Sequence, residues 1–165
     1  MIYNDQWQAT TRLNDGQQVL LRVIQPQDKA EMVRAFAKLS PESRYLRFLA
    51  AKGELSGQEL HYLTEVDGEG HLALVAGRAR ADGSLEGLGV ARFVRLQEDP
   101  LVAEFAIVVA DEIQGLGLGT QFFRHLQAAA AERGITRLHG EVLAGNARMQ
   151  NLLHDVAPEA PHVVL

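Results

Sequence analysis

Cysteine is absent from this 165-residue chain, which excludes disulfides, thiolate-bound zinc, iron–sulfur clusters and any thiol nucleophile. Aromatic residues make up only 6%, so Leu, Val, Ala and Ile must supply the bulk of a core. No window approaches the ~20 uncharged apolar residues of a membrane-spanning helix, and residues 105–110, the longest candidate, are strand-sized. The polar N-terminus lacks the apolar stretch of a secretory leader, and a cytoplasmic protein is expected. Basic residues are not in surplus: 16 against 21 acidic, a formal charge of −5 and a pI near 5.7 argue against nucleic acid as the main partner. The histidines are scattered, with no pair spaced to share a metal on one helix face, so no metal site is expected.

What is there suits one domain with a real core. Asn14-Asp15-Gly16 is a turn signal, which makes residues 1–17 a frayed lead-in to a single domain over 18–165. A strand over 19–24 is followed by helices over 26–38, from Ser40-Pro41 to about 49, and over 56–66. Strands over 71–80 and 87–96 flank the turn Asp82-Gly83-Ser84, predicting an antiparallel hairpin. Residues 101–110 form a nearly continuous apolar run, as in a strand covered on both faces. Glu104 is its one charge. A glycine-rich turn leads to a helix over 118–133 closed by Gly134, then a strand over 137–143 and a helix over 146–155. The order β-α-α-α-β-β-β-α-β-α predicts a mixed α/β (α+β) domain containing a parallel βαβ unit.

The turn Gln114-Gly115-Leu116-Gly117-Leu118-Gly119-Thr120 joins the strongest strand to the strongest helix. Such a junction aligns free N–H groups with the positive end of a helix dipole, a setting for phosphate oxygens. A Walker A loop is excluded because no lysine is near, and a Rossmann fingerprint fails because Thr120 stands where its third glycine belongs. The residues alone leave two readings, a phosphate cradle or a close-packed connection.

Gln114-x-x-Gly117-x-Gly119 resembles the Gln/Arg-x-x-Gly-x-Gly/Ala signature of the GCN5-related N-acetyltransferases (GNAT), and its place between a buried strand and a long helix is that family's place. Asn146-x-x-Met149-x-x-Leu152 resembles the family's second cofactor motif. Residues 39–48, 64–67 and 103–109 are similar to bacterial protein lysine acetyltransferases of the Pat type, and the matches together span about 18–156.

The resemblance implies a GNAT fold with acetyl-CoA as co-substrate, lying where the central strand splays from its parallel neighbour. It implies main-chain contacts from Ile107, Val108 and Val109 to the pantetheine arm, with the Val108 N–H polarising the thioester carbonyl. It further implies that the turn from Gln114 through Gly115, Leu116, Gly117, Leu118, Gly119 and Thr120 holds the pyrophosphate, and that Asn146 touches the pantetheine. A lysine amine is neutral in only about one molecule in 2,500 at pH 7, so a base is needed. Glu104 matches the catalytic glutamate of Pat-type enzymes, and Glu141 is the alternative. The tyrosine that many relatives use as general acid is replaced by Leu153, with His154 beside it pointing elsewhere on a helix.

The implied acceptor is a cationic amine, foremost a protein lysine. A small amine such as a polyamine or aminoglycoside is the alternative, as is a non-catalytic CoA-sensing module. Without cysteine there is no acyl-cysteine intermediate, so transfer is direct. Residues 53–77 and 96–113 are acidic without a single Lys or Arg. They would either attract a cationic acceptor or form ordinary solvated surface. Arg78, Arg80, Arg92 and Arg95 make the hairpin basic, which would suit the CoA 3′-phosphate or an acidic protein patch. Residues 155–165 replace the Gly-Phe and antiparallel strand pair expected at the end of the fold, so the sheet lacks its last strand or takes one from a second copy in a homodimer.

Overall fold

The computed structural model describes residues 1–39 and 55–140. Six strands form one sheet in sequence order: β1 (Gln8–Arg12), β2 (Gln18–Val23), β3 (His71–Ala79), β4 (Leu85–Arg95), β5 (Val102–Val109) and β6 (Arg137–His139). Each neighbouring pair is antiparallel except β5 and β6, which run parallel. The helix α3 (Leu118–Glu132) makes the crossover between those two, completing the expected βαβ unit. The other helices are α1 (Lys29–Ala37), entered through a 3-10 turn at Pro26–Asp28, and α2 (Gly57–Thr64).

Side-chain alternation sorts the sheet into two faces. On one, Leu72, Leu74, Ala91, Phe93, Phe105 and Ile107 pack against Phe122, Phe123 and Leu126 of α3 in the main core. On the other, α1 and α2 contribute Phe36 and Leu63, with Leu39 just beyond α1, to a smaller cluster that reaches Val108. α3 buries Leu118, Phe122, Phe123, Leu126, Ala129 and Ala130, a helical-period stripe wide enough to face a sheet. Gly134 follows it at φ 74°, the left-handed stop expected there. α2 begins with a capping box: the Ser56 hydroxyl accepts the Glu59 N–H at 3.1 Å, and the Glu59 carboxylate accepts the Ser56 N–H at 2.9 Å.

The N-terminus departs from the frayed lead-in expected of it. Residues 8–12 form β1, paired with β2 from Gln8↔Arg22 to Arg12↔Gln18. Before it, the chain is fastened to the end of α3. The Glu132 carboxylate accepts the Ile2 and Tyr3 N–H groups at 2.6 and 3.1 Å, and the Arg133 Nη2 donates to the Tyr3 carbonyl at 2.6 Å. The Tyr3 ring stacks on Trp7, and its hydroxyl meets His125 Nδ1 at 2.7 Å. The Ile2 N–H leads the contacts that hold the Glu132 carboxyl below the usual carboxylate range. Gln8–Arg12 is the polar stretch QATTR, whose burial pattern has no buried position, so backbone pairing rather than patterning makes it a strand.

Candidate active site

The site grows from the end of β5, past its last described pairing with β6. Pairing with β6 runs from Val102↔Arg137 to Glu104↔His139 among the described residues. Beyond that point β5 is bonded to β4 on one edge. Which backbone groups face the other edge follows from the register. The Ala110 N–H donates to the Leu88 carbonyl and the Leu96 N–H to the Val102 carbonyl, each between directly opposite residues. Bonded and non-bonded pairs alternate in an antiparallel ladder, so Val108, opposite Val90, turns its N–H and C=O toward β4. Ile107 and Val109 turn theirs outward. The expected oxyanion role of the Val108 N–H is therefore corrected: sheet bonding consumes that group. The outward N–H groups of Ile107 and Val109 have no partner among the described residues.

The Val109 carbonyl is held by the Gln114 side chain, whose Nε2 donates to it at 3.1 Å. This ties the glycine turn back to the strand and gives the first residue of the motif a mechanical role. Gly115 and Gly117 take φ values of 83° and 93°, where an L side chain is strained. Gly117 is the N-cap of α3, and no side chain caps that end. The amides of the first helical turn, Leu118 to Thr120, lack intrahelical acceptors and point with the positive end of the helix dipole. At Gly117 a Cβ would lie 3.1 Å from Asn14 Oδ1, and the Asn14 N–H donates to the Leu116 carbonyl at 2.9 Å. The Asn14–Gly16 turn is thus a buttress for the glycine turn.

The expected base sits on the same strand. Glu104 lies on the α1/α2 face, its side chain 13% exposed, with Oε1 3.4 Å from Nε2 of His139 directly across on β6. On that face Arg92 and His71 follow from β4 and β3. Arg92 is buried, and its Nη1 donates to the Leu63 carbonyl at 3.1 Å and meets His71 Nε2 at 2.8 Å. Burial pulls this guanidinium down to about 10, still charged at neutral pH. Burial, then the Arg92 charge, push His71 down to about 4, so its imidazole is neutral. Tyr62 of α2 packs its ring 4.8 Å from His71, and its phenol is raised, first by burial. Between these helices and the sheet lies a cavity of about 100 Å³, whose lining includes Phe36, Leu63, Val90, Arg92 and Val108.

The charge readings resolve mostly into local structure. Arg78 is bound to Glu86, Gln17 and Glu112, and Arg80 to Glu31. Arg95 donates to the Pro100 and Arg133 carbonyls, so none of the four hairpin arginines offers an unengaged phosphate site. Among the acids, Glu59 caps α2, Glu65 pairs with Lys29 and His61, and Asp67 accepts three backbone N–H groups. Glu141, Asn146, Leu153, His154 and the tail lie outside the described residues. No metal-binding group of three His, Asp or Glu occurs among the described residues, and no described helix is long and apolar enough to cross a membrane.

Outward amides along a strand edge, followed by uncapped helix amides, suit a thin ligand with amides along its length and a pyrophosphate at its end. That is the shape of coenzyme A, and it places the chain in the class of CoA-dependent acyltransferases. The chain belongs to the acetyltransferase (GNAT) family, whose model matches residues 30–155. It is 32% identical over 151 residues to acetyltransferase PA5475 of Pseudomonas aeruginosa, covering 92% of this chain and 79% of that protein. Acetyltransferase Pat of Mycolicibacterium smegmatis is 29% identical over 86% of this chain, which spans 41% of that longer protein. The GNAT domain of S. lividans PAT superposes with a TM-score of 0.82 at 31% identity, over 94% of this chain and 89% of that one. A cAMP-binding acyltransferase from Mycobacterium smegmatis gives 0.63 at 25% identity, over 91% of this chain and 42% of that one. The family uses acetyl-CoA as co-substrate with an amine acceptor, and this chain is an N-acetyltransferase of that family.

Proposed function

We propose that the protein moves an acetyl group directly from acetyl-CoA to an amine, foremost a lysine side chain of another protein, with Glu104 as general base. The observation that carries this is the placement of Glu104. It is a sheltered carboxylate on β5, three residues before Ile107 and roughly 10 Å along the strand from it. When bound, acetyl-CoA supplies a thioester, an acyl group already activated toward an amine. The Ile107 N–H takes the oxyanion role first expected of Val108, because it points away from β4. The Val109 N–H holds the pantetheine arm, and the amides of Gly115 through Thr120 receive the pyrophosphate. The amine approaches from the α1/α2 face. Glu104 withdraws its proton through water, a distance one residue could not cover alone. The lysine reading is supported by the Pat-like relatives and by the Pat-like stretches of the sequence. The acidic segments add little to it, since several of their carboxylates are engaged locally. Such a reaction belongs to the cytoplasm, where its acyl donor is made. Glu141 remains the alternative base and Asn146 a second pantetheine contact.

The test is mass spectrometry of products from a mixed panel of basic proteins, lysine peptides, polyamines and aminoglycosides incubated with acetyl-CoA. Acetyl-lysine in the proteins supports the reading. Acetylation confined to the small amines replaces the acceptor, and an undiminished rate in E104Q removes Glu104 as base.

A further inference from the structure

We propose that His139 is a relay residue that takes the proton from Glu104 and delivers it to solvent. The inference rests on Glu104 being the base. Acetylation of an ammonium releases two protons; one ends on the departing CoA sulfur and the other must leave the site. Glu104 has poor access to water, at 13% side-chain exposure, while its neighbour across the parallel ladder, His139, is 52% exposed. The two face each other because Glu104↔His139 is the last paired position of β5 and β6 among the described residues. The contact, Oε1 to Nε2 at 3.4 Å, lets a small rotation close a proton path.

The step balances simply. Glu104, as carboxylate, accepts a proton from the acceptor ammonium, leaving a neutral amine. The resulting carboxylic acid passes a proton to the lone pair on His139 Nε2, with the imidazole in its Nδ1–H form. The imidazolium then loses the Nδ1 proton to water. Glu104 is again a carboxylate and His139 again neutral, now as the Nε2–H tautomer, which proton exchange with water returns to the Nδ1–H form before the next turnover.

The charged and titratable neighbours on this face do not offer the same route. Arg92 from β4 is a fixed cation, and His71 from β3 is buried with its Nε2 already facing Arg92. The Tyr62 phenol of α2 is raised and stays protonated. Arg137, two residues before His139 on the same face of β6, cannot accept a proton. Glu104 has a further contact of its own.

The test combines His139→Gly and Glu104→Gln, assayed with whichever of poly-L-lysine and spermidine the wild type acetylates faster. H139G is expected to lower kcat roughly tenfold, below the 10²–10⁴-fold of a direct general base. KM for acetyl-CoA should stay within about twofold, and free imidazole should restore most of the lost rate. Independently of any acceptor, the pH-dependent ring resonances of His139 should be displaced in E104Q. H139G at wild-type speed, a loss that imidazole leaves untouched, or ring resonances indifferent to E104Q would each overturn the relay. If E104Q is inactive while H139G runs at full speed, the relay alone fails. If E104Q is fully active, the base assignment fails first.

Discussion

The two halves of the cleft are made of different material. The proposed cofactor half is main chain: outward amides of Ile107 and Val109, a turn with two positive-φ glycines, and uncapped amides at the start of α3. The proposed acceptor half is side chain: Glu104, His139, Arg92, His71 and Tyr62, delivered by four strands and a helix. Main-chain recognition tolerates almost any side chain but demands particular backbone angles. Side-chain chemistry tolerates backbone variation but demands particular residues. On this assignment the first half carries what the family shares, and the second would set what this member acetylates and how fast.

That difference can be broken by substitution. The largest effect is expected for E104Q, which should cut kcat by about 10²–10⁴-fold while leaving acetyl-CoA affinity within about twofold, read by steady-state kinetics and calorimetry. Next is His71, whose imidazole is held down at about 4 by burial and Arg92. An unfolded histidine takes its proton near 6.5, so between pH 6.5 and 4 the unfolded chain binds a proton that the folded chain refuses. Stability then falls as pH drops through that window, by on the order of 3 kcal/mol. In H71Q this part of the dependence should vanish, as read from Tm against pH. A persisting slope would assign it to other groups.

On the cofactor side, G117V places a branched side chain at φ 93° with a Cβ against Asn14. The strain of about 1–2 kcal/mol should weaken acetyl-CoA binding roughly tenfold. The smallest effect is expected for I107V. The lost methylene costs the core about 1 kcal/mol, but the N–H is unchanged, so kcat should stay within about twofold. A large loss in kcat for I107V would mean that the side chain, and not the amide, carries the role.

The same division explains what could be read before the structure. The Gln114 to Gly119 spacing is local; it pointed to the turn and the helix, and its resemblance to the family signature supplied the ligand class. The apolar periods of β2 to β5, α1 and α3 also lay open, because each buries its own stripe. Gln8–Arg12 was missed because a polar edge strand leaves no pattern, and Tyr3 because what buries it, Arg133 and His125, lies more than a hundred residues away. The capping box of Ser56 and Glu59 was legible as Ser-x-x-Glu and was overlooked. The Val108 assignment failed for a subtler reason: ladder parity is set by pairing with β4, and no count along β5 alone reveals which amides face outward. His139 stands 35 positions from Glu104, and only the parallel register makes them neighbours. Arg92 looked like surface charge on a hairpin, yet it is 3% exposed beneath α2.

The most direct measurement is calorimetric titration of acetyl-CoA into E104Q and G117V side by side with the wild type. A cleft divided between main-chain cofactor binding and side-chain acceptor chemistry predicts that E104Q binds as the wild type does, while G117V loses roughly tenfold in affinity. The reverse pattern, with binding lost in E104Q and intact in G117V, would contradict that division.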